Sequence, residues 1–291
     1  MRFFDLLALQ CRGSITGLAM LLLMAGVLAG SSANAAEPIK ALMITGGCCH
    51  DYENQKRIIS EGLSQRANIE WTIIHHEGDK RDFEVPTYKN PDWAKGYDVI
   101  LHNECYGAVT DPDFVKGIAK AHFDGVPAVI VHCSLHSYRT SGAADSWREL
   151  IGVTSKRHEK HRPEQVVRLD VEHPVLIGFP EKWNTPNGEL YVIEKVWPNC
   201  TPLAVAPGVD SEGDHPVIWV NTFGKARVFG TSLGHHNDTI NTPEWLDVVA
   251  RGTLWTVGKL GENGQPLPGY EGSGVKPIVL EKLKPIPEPA K

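Results

Sequence analysis

Short apolar runs recur from residue 39 onward, and their composition predicts a series of buried strands. The four clearest runs are Ile39–Thr45, Ile69–Ile74, Tyr97–Leu101 and Val126–Val131. Such runs, rich in apolar and β-branched residues, are typical of strands buried in a sheet that is covered on both faces. The last run stops abruptly at a polar segment, residues 132–139, which carries imidazole, thiol and guanidinium groups.

Helical patterns lie between these strands. Glu53–Arg66 has apolar residues at helical spacing on one face. A second helix is predicted up to Phe123, because Asp111 is a good N-cap and Pro112 suits the first helical position. Strands that alternate with helices predict an α/β fold with a doubly wound, mostly parallel sheet and right-handed crossovers.

The second half of the chain is less regular. Further strands, a hairpin and a last helix are predicted there at Val166–Val171, Glu189–Ile193, Pro202–Ala206, Pro216–Asn221 with Ala226–Thr231, and Thr242–Val257. The segment Lys156–Arg162 is rich in charged residues and is predicted to be a loop. Its histidines, His158 and His161, would either close over a site or belong to a solvated surface.

The two ends of the chain differ in composition from the middle. Residues 1–35 combine an apolar run, Ile15–Ala29, with the small-x-small pattern Ala33–Ala35, which indicates a secretory signal peptide. The mature protein is therefore expected to be periplasmic or secreted, with no stable membrane span after cleavage. Residues 36–260 form the predicted α/β domain, and the Pro- and Gly-rich residues 261–291 are predicted to be a surface arm or a disordered tail.

Charge and cysteine content narrow the classes of function. The formal net charge is −6 and there is no basic run, so a nucleic-acid partner is not expected. Five cysteines follow the predicted signal peptide, which leaves at least one unpaired or metal-bound. The adjacent Cys48 and Cys49 are not expected to bridge each other. Cys200 is interpreted as structural.

Imidazole, thiol and carboxylate groups follow four of the predicted strands. These groups are Cys48/Cys49/His50, His102/Glu104/Cys105, His132/Cys133/His136 and His235/His236. Parallel strands end at the same edge of a sheet, so the first three groups should meet there. The fourth joins them if its strand is also parallel. The sequence therefore predicts one polar cleft at the carboxyl edge of the sheet.

Three kinds of chemistry would use such a cleft. The first is a cysteine nucleophile, Cys133, with His235 or His236 as base and Glu189 orienting the base. The bulky neighbours of this cysteine, residues 131 and 135, leave little room for the tight turn that a nucleophile elbow needs. Thiol chemistry therefore remains one hypothesis among three.

The second chemistry is metal binding, and the third is recognition of a polyhydroxylated ligand. Imidazole and carboxylate are ligands of zinc and related divalent metals, and the candidate ligands are His50, His102, His132 and His235. Carbohydrate binding would use aromatic and polar side chains. The candidates for substrate binding are His50, Asp51, His102, Glu104, His136, Tyr138, Arg139 and His236. No nucleotide cofactor is expected.

Several longer motifs resemble those of the ThuA-like (trehalose utilisation) family. The motifs are Gly46–Gly47 with His50–Asp51, Val131–Ser134, Trp147–Gly152, Gly188–Tyr191, and His215–Trp219 with Gly224–His235. The similarity extends over roughly Ile39 to Leu260. It implies a flavodoxin-like sheet of the class I glutamine amidotransferase type, with the site at the carboxyl ends of the strands.

The resemblance also suggests roles for individual residues. Cys133 corresponds to the nucleophile position of the amidotransferases, and His235 lies near the position of their catalytic histidine. The family is linked to breakdown of disaccharides or oxidised sugars, and some members are associated with a bound metal.

The leading hypothesis is therefore an exported ThuA-like protein that acts on a carbohydrate through a His/Cys/Glu cleft, with metal assistance. As an enzyme it would be a sugar-processing hydrolase, lyase or isomerase, with His132, Cys133, Glu189 and His235 as catalytic candidates. The alternatives are a non-catalytic sugar-binding or interaction module, and a cysteine-dependent hydrolase or amidotransferase-like enzyme that uses Cys133.

Overall fold

A computed structural model describes residues 36–272 of the chain. The predicted signal peptide and residues 273–291 of the predicted tail lie outside the described residues. The strands are β1 (Ile39–Gly47), β2 (Ile69–His76), β3 (Val99–Cys105), β4 (Ala128–Val131), β5 (Val153–His158), β6 (Gln165–Arg168), β7 (Lys182–Asn184), β8 (Tyr191–Val196), β9 (Thr201–Pro207), β10 (Asp214–Phe223) and β11 (Ala226–Thr231). The α-helices are α1 (Tyr52–Ser64), α2 (Pro112–Phe123), α3 (Ala144–Ile151), α4 (Asn237–Ile240) and α5 (Pro243–Thr256).

One nine-stranded sheet organises the described chain, in the order β2-β1-β3-β4-β11-β10-β9-β6-β7. The first five of these strands are mutually parallel, as the alternation of strands and helices predicts. Strands β10, β9, β6 and β7 extend the sheet by antiparallel pairing. The result is an α/β fold of the flavodoxin-like type, and the predicted fold class is confirmed.

Both faces of the parallel half are covered, which explains its continuous apolar strands. In β1, Ala41 and Met43 face the cluster that includes helices α1 and α5. Leu42 and Ile44, which alternate with them, face the cluster that includes helices α2 and α3. All four side chains are fully buried. A strand that is covered on both sides needs apolar residues at every position, whereas a strand with one solvent-exposed face alternates apolar and polar residues.

The segments predicted to be a charged loop and a tail are more ordered than the sequence predicts. Residues 153–158 form β5, which pairs with β8 in a separate two-stranded sheet. The second half of this strand was predicted to belong to the charged loop Lys156–Arg162. Their exposed charged residues hid a strand that is buried only at its start. Residues 261–272, predicted to belong to the tail, pack against the domain. The backbone N–H of Asn68 donates to the carbonyl of Tyr270 at 3.0 Å, and Ala67 forms a bridge with Glu271.

Helix termini follow the local sequence. Asp111 accepts hydrogen bonds from the first backbone N–H groups of α2, and Thr242 caps α5 through its hydroxyl. Pro112 and Pro243 occupy the first turns of these helices, where no intrahelical donor is required. Within residues 36–272, no helix combines the length and the apolar character needed to cross a bilayer.

Candidate functional site

The carboxyl ends of β1, β3, β4 and β11 meet at one edge of the sheet. Register fixes this arrangement, because β1 pairs in parallel with β3, β3 with β4, and β4 with β11. Strand β11 is thus parallel to the other three, which was the condition for its histidines to join the cleft. Histidines and cysteines from separate parts of the chain come together here because parallel strands end at the same edge of the sheet.

The chain turns sharply where β4 ends, and His132 takes the strained position in that turn. Its φ is +40°, in the left-handed region that side chains other than glycine rarely occupy. The sequence placed Cys133 at this elbow, by resemblance to the amidotransferases. The structure places His132 there instead, and the first turn of the following 3₁₀-helix (His132–His136) carries the cysteine. Backbone strain of this kind is common at functional sites.

Three histidines and one glutamate converge beside this turn. We call His50, His132, Glu189 and His235 the ligand cluster; one nitrogen or oxygen atom from each lies within 4.8 Å of the others. Nε2 of His50 is 3.0 Å from Nδ1 of His235, which is 3.1 Å from Oε2 of Glu189. Oε2 of Glu189 is also 3.3 Å from Nε2 of His132.

Hydrogen bonds to the outer ring nitrogens orient two of these histidines. Nδ1 of His132 donates to the carbonyl of Ser232, and Nδ1 of His50 lies 3.3 Å from the carbonyl of Cys48. In each ring the proton then resides on Nδ1, so the lone pair of Nε2 points into the cluster. Nε2 of His132 is buried and makes no hydrogen bond within the part of the chain that the structure describes.

The electrostatics suit neutral imidazoles around an ionised carboxylate. Burial lowers the pKa of His50 well below its usual value, and the neighbouring His132 and His235 lower it further. Burial also lowers the pKa of His235, although its hydrogen bond to Glu189 opposes the effect. Burial alone would raise the pKa of Glu189, but the hydrogen bond that it accepts from Nδ1 of His235 holds the pKa well below its usual range. Neutral imidazole and carboxylate are the forms that bind metals.

A cleft of about 290 Å³ opens beside the ligand cluster. Its lining combines aromatic, cationic and sulfur-containing groups: Cys48, Cys49, Arg81, Gly107, Ala108, Cys133, His136, Arg139, Thr140, His158, Glu189, Tyr191 and His235. His136 stacks on Tyr191, with ring centroids 3.9 Å apart, and its Nε2 atom is 3.0 Å from the hydroxyl of Ser155. Burial, with the nearby Arg139, lowers the pKa of His136 to about 3.

The loop between β5 and β6 closes one side of the cleft. His158, the last residue of β5, and His161 in this loop both contact Glu189: Nδ1 of His158 and Nε2 of His161 lie 3.1 and 2.9 Å from Oε1. Of the two readings of this loop left open by the sequence, the structure favours the one that brings it to the site. Glu159 anchors the loop by accepting hydrogen bonds from Arg162 and from the hydroxyl of Ser211.

Three predicted site residues lie elsewhere. His102 and Glu104 are fully buried with Tyr138 under helices α2 and α3, not in the cleft. Nδ1 of His102 is 2.9 Å from Oε1 of Glu104, and its Nε2 is 3.0 Å from Nε2 of His122. We call Tyr88, His102, Glu104, His122 and Tyr138 the buried polar cluster. The structure therefore does not bring His102 to the other predicted metal ligands, and it brings none of the three to the cleft where they were predicted to bind substrate.

Period-two alternation explains where His102 points. In β3, Ile100 and His102 share one face and Leu101 shares the other with Asn103. Leu101 packs on the α1 side, and Asn103 follows it there to contact Gln55. The parity of apolar residues in the strand was therefore a usable signal that His102 faces the opposite side.

Asp51 and His236 lie at the edge of the site. Asp51 caps α1, accepting from the backbone N–H of Asn54, and also accepts a 2.8 Å hydrogen bond from Nδ2 of Asn237. This carboxylate therefore serves structure rather than the cleft, contrary to the prediction. The ring of His236 stands beside those of His161 and His235, at centroid distances of 5.2 and 4.5 Å. Burial, with His235, lowers the pKa of His236 to about 4.

The cysteines differ most from expectation. Cys48 and Cys49 are disulfide-bonded to each other, although adjacent cysteines were not expected to pair. Cys133 is bonded to Cys105, so it has no free thiol to act as a nucleophile. The hypothesis of a cysteine-dependent hydrolase is therefore not supported. Cys200 is buried and is unpaired among the described residues 36–272, and burial raises the pKa of its thiol to about 12.

Two residues with clear roles at the site were not identified from the sequence. Gln55 on α1 donates to the carbonyls of Gly234 and His235, at 3.1 and 3.2 Å, and so fixes the loop after β11. Tyr191 supplies the aromatic wall against which His136 stacks. A glutamine on the otherwise apolar face of a helix was the available signal for the first, since buried amides need partners.

Comparisons with known proteins agree with this architecture. Residues 40–256 match the family model ThuA, described as trehalose utilisation. A solved structure from Parabacteroides merdae ATCC 43184, described as ThuA-like, superposes with a TM-score of 0.62 at 16% identity, covering 82% of this chain and 98% of that one. A ThuA-like protein from Bacteroides uniformis ATCC 8492 superposes with a TM-score of 0.59 at 18% identity, covering 81% of this chain and 99% of that one.

A third solved structure is similar to this chain over only about a third of its own length. A β-galactosidase from Rahnella sp. R3 matches 76% of this chain but 32% of its own, with a TM-score of 0.50 and 12% identity. At such identities these three structures establish a common fold and nothing about a reaction. No curated protein matches the sequence.

Proposed function

Because the chain belongs to the ThuA (trehalose utilisation) family, we propose that it acts in carbohydrate breakdown through a divalent metal of the zinc type held by the ligand cluster. The observation that carries the proposal is the convergence of three imidazole nitrogens and a carboxylate oxygen within 4.8 Å. Nitrogen and oxygen donors in this number suit zinc and related ions. When bound, such an ion polarises a carbonyl or hydroxyl oxygen of its substrate.

The local structure fits a metal in three respects. Nε2 of His132 is a buried acceptor that has no hydrogen-bond partner among residues 36–272; it is directed into the cluster, where an ion would satisfy it. The outer nitrogens of His132 and His50 meet backbone carbonyls, the usual second contact of a metal-binding histidine. Finally, Nε2 of His50 and Nδ1 of His235 lie 3.0 Å apart, close enough to ligate one cation once Nδ1 of His235 gives up the proton that it donates to Glu189.

The cleft beside the cluster would bind the sugar. Arg81 and Arg139 provide donors for hydroxyl or carbonyl oxygens, and His136 stacked on Tyr191 provides a rigid wall with a polar edge. His158 and His161 contact Oε1 of Glu189, where each imidazole can form a hydrogen bond with a sugar hydroxyl, and the ring of His158 lies 6.1 Å from that of Tyr191. We propose that these residues orient a polyhydroxylated ligand toward the ligand cluster.

Elemental analysis of protein purified without added metal tests the metal. We expect about one equivalent of a divalent transition metal in the wild-type chain, and its loss in His132→Ala and His235→Ala. His76→Ala, a substitution in a histidine at the end of β2, is the matched control and should keep the metal. A metal-free wild-type protein that also fails to take up zinc in dialysis would overturn the proposal.

Turnover on a panel of disaccharides and oxidised sugars separates an enzyme from a binding module on the same fold. The metal-loaded wild-type chain should convert at least one sugar, and His132→Ala should not. Binding of a sugar without conversion, unaffected by His132→Ala, would instead identify a non-catalytic module.

We also propose that the protein is exported. Its four paired cysteines support an oxidising compartment, since disulfides rarely persist in the cytosol. Amino-terminal sequencing of protein from a cell fractionation should find a start at Ala36 or Glu37 outside the cytosol. An intact Met1 in the cytosolic fraction would contradict export.

A further inference from the structure

Four cysteine sulfurs lie together at the mouth of the cleft, and metal-assisted sugar chemistry makes no use of them. They belong to two disulfides, Cys48–Cys49 after β1 and Cys105–Cys133 between the ends of β3 and β4. The two bonds are in contact, because Sγ of Cys48 lies 3.7 Å from Sγ of Cys105. Two disulfides this close can exchange partners without movement of the backbone over a large distance.

The four sulfurs differ in access. Cys48, Cys105 and Cys133 are buried, with 6%, 5% and 5% of their surface exposed. Cys49 is exposed and lines the cleft. Thiol–disulfide exchange requires direct approach of a thiolate to a sulfur atom. An incoming thiol therefore meets Cys49 first.

The charge around the exposed cysteine favours reaction at that position. Nη2 of Arg81 lies 3.7 Å from Sγ of Cys49. A neighbouring guanidinium stabilises negative charge on sulfur, both in the incoming thiolate and in a thiolate later released there. The backbone at Cys49 is left-handed, with φ of +83°, and its side chain is exposed in the lining of the cleft.

We propose that these four cysteines form a thiol–disulfide exchange relay, in which an external dithiol attacks Cys49 and the thiolate released on Cys48 opens the Cys105–Cys133 disulfide. In the first step a bond forms between the dithiol and Sγ of Cys49, and the Cys48–Cys49 bond breaks. In the second, the Cys48 thiolate attacks Sγ of Cys105, forming Cys48–Cys105 and releasing Cys133 as a thiolate.

The third step completes the balance. The second thiolate of the dithiol attacks the dithiol sulfur that is bonded to Cys49. This closes the disulfide of the oxidised dithiol and releases Cys49 as a thiolate. Two electrons have moved from the dithiol to the protein, and its two protons are taken up by Cys49 and Cys133. One of the two protein disulfides remains, now between Cys48 and Cys105.

The relay has a distinct chemical outcome. Simple reduction of the exposed disulfide would release Cys48 and Cys49 together. The relay instead releases Cys49 and Cys133, which are not bonded to each other in the starting structure. Since Cys133 also lines the cleft and follows His132 in the chain, exchange places a new thiol beside the ligand cluster. The pattern of free thiols is therefore diagnostic and does not depend on bound metal.

Native reduction followed by alkylation and peptide mapping tests the relay. The folded protein is titrated with dithiothreitol, quenched with iodoacetamide and digested without reduction. We expect label on Cys49 and Cys133, together with a peptide pair linked through Cys48 and Cys105. Label on Cys48 and Cys49 with Cys105–Cys133 intact would overturn the proposal, as would failure of both disulfides to react under native conditions.

Two variants separate relay from direct reduction. Cys48→Ser removes the internal nucleophile, so Cys133 should no longer be labelled at the dithiothreitol concentration that labels it in the wild-type chain. Cys49→Ser leaves Cys48 as a free thiol, and Cys133 should then be labelled without any reductant. Cys200→Ser, at the free buried cysteine, is the matched control and should reproduce the wild-type pattern. Equal labelling of Cys133 in wild-type and Cys48→Ser proteins would overturn the relay.

Discussion

The Oε2 atom of Glu189, from the loop before β8, lies 3.3 Å from Nε2 of His132, which follows β4. These residues are far apart in sequence, and each is held by separate contacts. The histidine sits in a tight turn with a positive φ, and its Nδ1 atom donates a hydrogen bond to the carbonyl of Ser232. His158 and His161 contact the other carboxylate oxygen, Oε1. Glu189 thus joins the strand ends to the loop that closes the cleft.

Glu189→Gln should weaken metal binding by at least the roughly 10- to 100-fold seen when an outer partner of a metal ligand is lost. The substitution keeps the shape of the side chain but removes the only carboxylate of the ligand cluster, and with it the charge that balances a divalent cation. Competition of the purified proteins with a chromophoric zinc chelator measures the ratio of dissociation constants.

Glu194→Gln is the matched control for this prediction. Glu194 lies on β8, a few residues after Glu189, and forms a surface ion pair with Lys156 at 2.9 Å. Its variant should bind zinc as the wild-type chain does. Equal affinity of the Glu189→Gln and wild-type proteins would remove the carboxylate from the proposed metal site.

The sheet and the position of the cleft follow from patterns that the sequence displays. Continuous apolar strands alternating with capped helices predict parallel strands, and parallel strands bring their carboxyl ends together. His50, His132 and His235 follow three such ends, so their meeting is a consequence of topology. Glu189 could be named because it begins a predicted strand and belongs to a family motif.

Other parts of the site depend on information that local patterns lack. The pairing of Cys105 with Cys133 depends on how two neighbouring strands end, and sequence spacing does not reveal that distance. His102 was assigned to the cleft because its strand end is close by, although strand parity directs it to the opposite face. The contact of His161 with Glu189 depends on the path of the loop between β5 and β6, which no periodicity determines.

His102→Leu should destabilise the fold while leaving metal content unchanged. The ring contacts Tyr88, Glu104 and His122 inside the buried polar cluster. Removing it leaves buried polar groups without a partner, at a cost of about 1–3 kcal/mol for each group. Urea denaturation followed by tryptophan fluorescence measures the free energy of unfolding, and elemental analysis measures the metal.

The comparison with His132→Leu makes this prediction specific. That variant should lose the metal, whereas His102→Leu should keep it. Loss of metal from the folded His102→Leu protein would show that the two clusters are coupled.

Acid should destabilise the protein through His122. Burial, with the nearby His102, lowers the pKa of His122 to about 3, from an unfolded value near 6.5. The unfolded chain therefore takes up the proton at higher pH than the folded one. The stability associated with the neutral ring is fully present above about pH 6.5 and is lost as pH falls towards 3, by about 1.4 kcal/mol per pH unit.

A His122→Asn variant removes this dependence while retaining a donor toward the carbonyl of Val126, which Nδ1 of His122 contacts at 2.7 Å. Unfolding free energies of both proteins between pH 7 and pH 4.5 should converge as the pH falls, because only the wild-type chain loses stability through this group. A difference that stays constant over that range would contradict the assignment.

Gln55→Ala should loosen His235 without touching the ligand cluster directly. The amide of Gln55 donates to the carbonyls of Gly234 and His235, and its oxygen accepts from Nδ2 of Asn103. Because this one side chain ties α1 to the loop after β11, its loss should lower zinc affinity by about 10- to 100-fold, as loss of an outer contact does. Gln65→Ala, just beyond the other end of α1, is the matched control. The same chelator competition measures both variants, and an unchanged affinity in Gln55→Ala would mean that the loop is held by its remaining contacts alone.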